Sequence, residues 1–477
     1  MTEKLNVSEL SQALAKGKLS SVELTQLCLE KCSEQSELGA FITLLSDNAI
    51  AAAKASDRRR AKGESLGALD GIPFAIKDNF CFEGAPTTCA SRMLKDFIPP
   101  YTATAVNRLM SAGAVPLGKA NMDEFAMGTS SKTSAFGIVK NPYDPDRTAG
   151  GSSGGSAVSV AAGIVPFSLG SDTGGSVRLP AAYCGVLGMK PTYGCVSRYG
   201  LIAYASSLDT VGVFSTCARD NALVLSTIAG KDPMDMTSLD MKIDTNVCDN
   251  DIKGMRVGIP YAALDGLSSE IREAVLSVAA ALEAMGAVVI DVSLPLSIEL
   301  LATYCVVSFS EAFSNLSRFD GVRYGCRPDG AQSADELFTL CRSAGFGDEV
   351  KKRILLGSLF LSGDGRDELF RRAITVQNMA KAKLGEAFAL CDAVLMPVTS
   401  GIAPSQGELL SRAPVDSYRD DIFCVLANLC GVPALSFPAG MGKKGLPIGV
   451  QLLAPERCDE RLYALCAAYE KAKEAGL

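Results

Sequence analysis

Residues 71–79 read GIPFAIKDN. A short apolar run, with Gly and Pro before it and charged and turn-forming residues after it, is the pattern of a strand buried on both faces. Short apolar runs in AVPLGKANMDEF (residues 114–125), MRVGIP (255–260) and AVVIDVSLP (287–295) read as further strands. Between the last two, residues 268–287 carry apolar side chains at helical spacing. Strands alternating with helices point to an α/β architecture.

Upstream of this texture, a region of about residues 1–65 reads as helical. Ser20 with Glu23 makes a capping box, and Val22, Leu24, Leu27 and Leu29 to either side of Cys28 supply an apolar stripe. A second helical stretch, residues 47–62, ends in Arg58, Arg59 and Arg60, most simply a solvated helix face. Downstream, about residues 232–253 are polar and turn-rich and read as a surface excursion. There is no internal repeat and no flexible interdomain linker, so a single domain over residues 1–477 is expected.

The chain has 477 residues, 48% apolar and 21% charged, enough to bury a large core, and it contains no histidine. A Ser-His-Asp triad, a Cys-His dyad and every histidine-containing zinc site are thereby excluded within it. Forty-six Lys and Arg against 53 Asp and Glu leave a net charge of −7, which argues against nucleic-acid binding through the chain's own field. The sixteen cysteines are dilute and form no CxxC pair, so buried free thiols in a reducing cytoplasm are expected. The opening MTEKLNVSEL lacks the pattern of a signal peptide, and no apolar run reaches the roughly 20 residues of a membrane helix. A cytoplasmic protein without a membrane span follows.

Three glycine-rich segments compete for the chemistry. GAVPLGKA (113–120) resembles a phosphate loop, but Ala120 stands where a Ser or Thr must hold magnesium. Pro116 also removes one N–H from the cradle, so the segment reads as a buried strand ending in a turn. GGSSGGSA (150–157) leads straight into core-like VSVAAGIV, which weakens its reading as a linker. In SLGSDTGGSVRLP (168–180), a strand runs into Thr173-Gly174-Gly175-Ser176, a turn whose N–H groups can converge on an oxyanion.

A serine nucleophile here has no histidine to serve it, and lysine is the natural substitute. A free lysine is neutral in only about one molecule in a thousand near pH 7.4, so the base must be desolvated. Lowering its pKa by about 3 units corresponds to roughly 4 kcal/mol. Lys77, at the end of the IPFAI run, is either that base, delivered from a core strand into a cleft, or an ordinary exposed lysine at a strand end.

Together, Lys77, the GGSSGGS run and the DTGGSVRLP run resemble the amidase signature family, whose mechanism is a Ser-Ser-Lys triad. The resemblance implies Ser176 as nucleophile, Ser152 as bridging serine and Lys77 as base. It further implies the N–H groups of Thr173, Gly174, Gly175 and Ser176 as the oxyanion hole, with Ser153, Asp172 and Arg178 as supports that are otherwise purely structural. It also implies a mixed β-sheet core covered by helices on both faces, and a cis peptide within the GGSS turn.

Within that family, MDEFAMGTSSKTSAFG (122–137) and SNLSRFDGVRYG (314–325) are similar to the glutaminase subunits of tRNA-dependent amidotransferases, over nearly the whole chain. Cys326 stands where relatives often carry histidine, a departure with no catalytic meaning attached. That resemblance implies hydrolysis of glutamine to glutamate and ammonia. The ammonia would pass to a tRNA-binding, amidating partner chain, which uses ATP and magnesium on Glu-tRNA(Gln) and/or Asp-tRNA(Asn). The complex would be formed with or without a small third chain, and this chain would hold no cofactor or metal. Arg353 and Asp421, with Tyr304 as a third, match the substrate-binding residues; otherwise they are salt-bridged or surface groups. Two rivals stay open: a stand-alone amidase of small or fatty amides, and a non-enzymatic scaffold subunit.

Overall fold

The computed structural model describes residues 5–362, 366–411, 418 and 421–476. Eleven strands make one sheet: β1 (Phe41–Leu44), β2 (Pro73–Lys77), β3 (Val115–Ala120), β4 (Phe167–Asp172), β5 (Leu187–Lys190), β6 (Thr210–Ser215), β7 (Arg256–Ile259), β8 (Val288–Asp291), β9 (Ala393–Pro397), β10 (Ala434–Met441) and β11 (Pro447–Leu453). Their order is β1-β3-β2-β4-β6-β5-β10-β11-β9-β7-β8. Pairing is mixed: β2 is parallel to β3 and β4, β7 to β8 and β9, and the other pairs are antiparallel.

Both faces of this sheet are covered, and β9 records it residue by residue. Ala393 and Leu395 enter one hydrophobic core, whereas Val394 and Met396 enter a second. Successive side chains of a strand point to opposite faces, so the two cores lie on the two sides of the sheet. This is why β2, β4, β6 and β11 are buried along their whole length, and why β2 reads as an apolar run rather than as an alternation. The helices Ser269–Ala284 and Asp459–Glu474 pack on each other and on β10, while Ile298–Leu316, Asp348–Phe360 and Arg366–Leu390 form a bundle that meets Val425–Cys430. Pro116 sits where the β2–β3 register shifts, at a bulge that spares the ladder the missing N–H.

The amino-terminal reading needs three corrections. The helices Val7–Ala15, Ser21–Glu34 and Ser46–Ala61 are present, and Ser20 and Glu23 do form a reciprocal capping box. Between them, however, Phe41–Leu44 is an edge strand, antiparallel to β3; its four residues are too few and too evenly half-buried to show a period of two. The buried stripe of the second helix is Ser21, Leu24, Thr25, Cys28 and Cys32, with Leu27 exposed. The basic run is not a plain solvated face either. Arg59 pairs with buried Asp70 at 2.5 Å and Arg60 donates to the Asp70 carbonyl at 2.5 Å, tying the helix to the turn before β2. Residues 1–4 lie outside the described residues.

Residues 232–253 are a packed strap rather than an excursion. Ile243, Val247, Cys248 and Ile252 are buried in the larger core, and the turn Thr245–Asp249 lies against the last helix. All sixteen cysteines are unpaired. Among the described residues, no helix is long and apolar enough to cross a membrane, and no group of three or more His, Cys, Asp or Glu is placed to hold a metal ion.

Candidate active site

Lys77 is the last residue of β2 and Asp172 the last of β4; because these strands are parallel neighbours, both residues emerge at the same end of the sheet. Ligand sites of open α/β sheets form at such carboxyl ends. The turn of residues 150–153 leads into the helix Gly154–Ala161, which packs on β2 and β4, so Ser152 is delivered to that end as well. The Gly151–Ser152 peptide is cis. The turn after β4 carries Thr173 to Ser176 into the helix Arg178–Cys184.

Lys77 is fully buried, and its Nζ lies 2.8 Å from Ser152 Oγ. Burial lowers the Lys77 pKa to about 7, against the opposing field of Asp123, Asp172, Asp209 and Cys89. The alternative of an exposed strand-end lysine is thereby removed. Lys119, on the neighbouring strand β3, is equally buried but paired with Asp78 at 2.9 Å and donating to Thr87 Oγ1 and Pro86 O, which accounts for the near match to a phosphate loop.

Ser152 and Ser176 lie on turns that are stitched together, since the Ser153 N–H donates to Ser176 O at 3.1 Å. Ser152 is inaccessible, whereas Ser176 is 9% exposed, so of the two serines the second is the one that solvent reaches. The Ser153 hydroxyl donates to Ser171 O.

Asp172 organises the turn that carries Ser176. Its carboxylate accepts the N–H groups of Gly175, Val177 and Arg178 and a two-pronged contact from the Arg178 guanidinium at 3.1 Å on each oxygen. Burial would push this carboxyl up, but the Arg178 charge and hydrogen bonds overcome that and hold it below the usual carboxylate range. Arg178 spends its other donors on Asn428 and Gln451, far along the chain. One consequence corrects the sequence reading. The Gly175 N–H is already committed to Asp172 at 2.9 Å, so the turn offers the N–H groups of Thr173, Gly174 and Ser176, which meet no acceptor among the described residues.

The two glycines leave room for side chains from elsewhere. A Cβ on Gly174 would overlap the Tyr304 ring; one on Gly175, whose φ is +131°, would meet Cys424 and lie 3.3 Å from Asp421 Oδ1. Tyr304 and Asp421 thus line the turn. Arg353 lies within electrostatic reach of Tyr304, as Asp421 does. Its guanidinium donates to Glu349 and to the Tyr204 hydroxyl at 2.8 Å each and stands against the rings of Tyr204, Phe309 and Tyr418. Its Nη2 makes no hydrogen bond to any described residue.

Sequence reasoning missed several groups at this site. Asp209 accepts the Thr173 hydroxyl at 2.6 Å and the N–H groups of Tyr204 and Ala205, tying the turn of Thr173 to Ser176 to the tyrosine that meets Arg353. Asp123 accepts from Ser130, Ser131 and Thr133, and its own N–H donates to Ser152 O at 3.1 Å. Ser171 touches Lys77 directly. For Asp123 and Ser171 the signal was their presence in the polar motifs MDEF and GSDTGGS, inside otherwise apolar surroundings; Asp209, in SSLDT, carried none.

A serine, a buried hydroxyl and a neutral-capable amine in one cluster beside free N–H groups can carry acyl transfer. Comparison with known proteins agrees. The family model for amidases matches residues 23–463. The chain is 46% identical over 478 residues to the A subunit of glutamyl-tRNA(Gln) amidotransferase from Pseudomonas aeruginosa, covering 99% of this chain and 98% of that one. It is 45% identical over 472 residues to an A subunit of the glutamyl-tRNA(Gln) amidotransferase of Clostridium acetobutylicum, covering 98% of each. Among solved structures, that of the glutamyl-tRNA(Gln) amidotransferase A subunit from Thermotoga maritima superposes with a TM-score of 0.80 at 37% identity, over 98% of this chain and 94% of the other. The native peptide amidase from Stenotrophomonas maltophilia gives 0.84 at 30% identity, over 98% and 97%.

Proposed function

The chain belongs to the amidase family, and we propose that it is the glutamine-hydrolysing subunit of a tRNA-dependent amidotransferase. The observation that carries the chemistry is the buried contact of Lys77 Nζ with Ser152 Oγ at 2.8 Å. The fold alone does not separate an amidotransferase subunit from a peptide amidase, as their TM-scores are close. Identity does favour one: it is 46% with the Pseudomonas protein and 30% with the peptide amidase.

In this reading, neutral Lys77 takes the proton of Ser152 as Ser152 takes that of Ser176. The Ser176 oxygen attacks the side-chain amide carbon of glutamine, and the negative charge on the former carbonyl oxygen meets the N–H groups of Thr173, Gly174 and Ser176. The relay then returns its proton to the leaving nitrogen, the C–N bond breaks and ammonia departs. Water attacks the glutamyl ester by the same relay and glutamate leaves. Ser153, Asp172 and Arg178 keep the two turns in place. Arg353 pairs with the α-carboxylate of glutamine, Asp421 with its α-ammonium, and Tyr304 closes the space between them.

The ammonia passes to a partner chain that binds tRNA and uses ATP and magnesium to amidate Glu-tRNA(Gln), Asp-tRNA(Asn) or both, with a small third chain in the complex. The net charge of −7 fits this division, in which the partner meets the polyanion. The complex works in the cytoplasm, where unpaired thiols stay reduced. Purification from native cells followed by a glutaminase assay, with and without the chains that co-purify, tests the reading. Glutamine hydrolysis together with ATP-dependent formation of amidated tRNA is expected; hydrolysis of neutral amides in preference to glutamine would replace it with the stand-alone amidase.

A further inference from the structure

Among the described residues, Lys77 Nζ has three oxygen hydrogen-bond partners, and two of them belong to one residue. Ser171, next to last in β4, offers its hydroxyl at 2.9 Å and its backbone carbonyl at 3.3 Å; the third neighbour is Ser152 Oγ at 2.8 Å. A neutral primary amine has two N–H donors and one lone pair. A carbonyl can only accept, so Ser171 O takes one N–H. The Ser171 hydroxyl oxygen accepts from Asn79 Nδ2 at 2.9 Å, and its second lone pair can accept from Nζ. The residue itself is fastened by Ser153, whose hydroxyl donates to Ser171 O at 3.1 Å and accepts the Ser171 N–H at 3.4 Å.

We propose that Ser171 is a positioning residue that takes both N–H groups of neutral Lys77 and so turns the amine lone pair onto the Ser152 hydroxyl. This rests on the reading of Lys77 as the base. The count of protons at Nζ closes in both states. When the proton of Ser152 moves to Nζ, the ammonium has three N–H groups, one each for Ser152 Oγ, Ser171 Oγ and Ser171 O. No heavy atom has to turn for the proton to move, which is the condition for a preorganised relay. It also gives Ser153 a specific task, that of holding the carbonyl that aims the base.

The test is the pH profile of glutamine hydrolysis by Ser171→Ala and Ser171→Thr, each purified with the chains that accompany it in native cells. The other groups facing Lys77, namely Asp123, Asp172, Asp209 and Cys89, stay as they are. Loss of the Ser171 hydroxyl removes an acceptor from ammonium and amine alike, but the charge-assisted bond is the stronger. Ser171→Ala should therefore shift the acid limb to lower pH while its plateau kcat falls about 10- to 100-fold for want of alignment. KM should change little, and Ser171→Thr, which keeps the hydroxyl, should restore plateau and midpoint. A plateau equal to wild type, or a fall in kcat with the midpoint unmoved, would overturn the proposal. Lys77→Ala in the same assay separates the two readings: activity retained there removes the base itself, whereas activity lost there with Ser171→Ala unaffected removes only the role of Ser171.

Discussion

The backbone N–H of Ser153 donates to the carbonyl of Ser176 at 3.1 Å. This bond joins two turns that precede different helices, and it ties the turn of Ser152 to that of Ser176, the proposed bridging serine and nucleophile.

Of these two serines, Ser176 is the one whose hydroxyl solvent reaches. A glutamine-analogue electrophile should therefore form its adduct on Ser176, located by mass spectrometry of the digested chain. Ser176→Ala should leave no adduct and no hydrolysis. An adduct on a cysteine, with full activity in Ser176→Ala, would point to a thiol mechanism instead.

Lys77 must be neutral to accept a proton, and burial lowers its pKa to about 7. Below that value the ammonium predominates and the relay is blocked; above it the amine is free. kcat should thus rise with pH through a single step near 7 and then level off. Lys77→Arg should be as inactive as Lys77→Ala, since a guanidinium stays protonated. Measurement of kcat between about pH 5.5 and 9 checks this, and a rate that falls on raising pH through 7 counts against the lysine base.

Arg178 and Asp172 are both fully buried, with Asn428 and Gln451 completing the arginine's contacts. Removing one partner of such a pair leaves an uncompensated charge, at a cost of about 3–5 kcal/mol. Arg178→Ala should lower the thermal unfolding temperature markedly and abolish activity, because Asp172 also holds Gly175 and Val177. Arg178→Lys keeps the charge but not the planar fork, and should fall between the two. An unfolding temperature equal to wild type in Arg178→Ala would contradict the buried pair.

Arg353 and Asp421 are assigned to the two charges of free glutamine. A substrate without those charges leaves the site's own groups unpaired, a penalty of several kcal/mol. Arg353→Ala should reduce kcat/KM for glutamine by about a hundredfold or more while sparing a small neutral amide. The comparison is to be made on the protein with its accompanying chains. Equal losses on both substrates would return Arg353 to a structural role.

How far the sequence carries these conclusions depends on the range of the interactions involved. The apolar runs of β2, β3, β7 and β8, the capping box at Ser20 and the turn glycines follow from neighbours a few residues apart, so they are legible without a fold. The lack of histidine restricted the base to other residue types before any geometry was known. The pairing of Phe41–Leu44 with β3 depends on a partner more than 70 residues away, and nothing local distinguishes that strand. Gln451 reaches Arg178 across 273 positions and Asn428 across 250, and the Thr173–Asp209 and Gly174–Tyr304 contacts are likewise products of chain folding. Composition and local pattern therefore determined the α/β class and offered Lys77 and the turn of Thr173 to Ser176 for the chemistry, while the resemblance to the family supplied Ser152, Tyr304, Arg353 and Asp421. Only the tertiary structure decided which of them are buried together, that Lys77 is desolvated, that Gly175 is already committed and that Ser171 stands against the base. Burial and hydrogen-bond partnership are properties of residues brought together from distant parts of the chain, and no local stretch contains them.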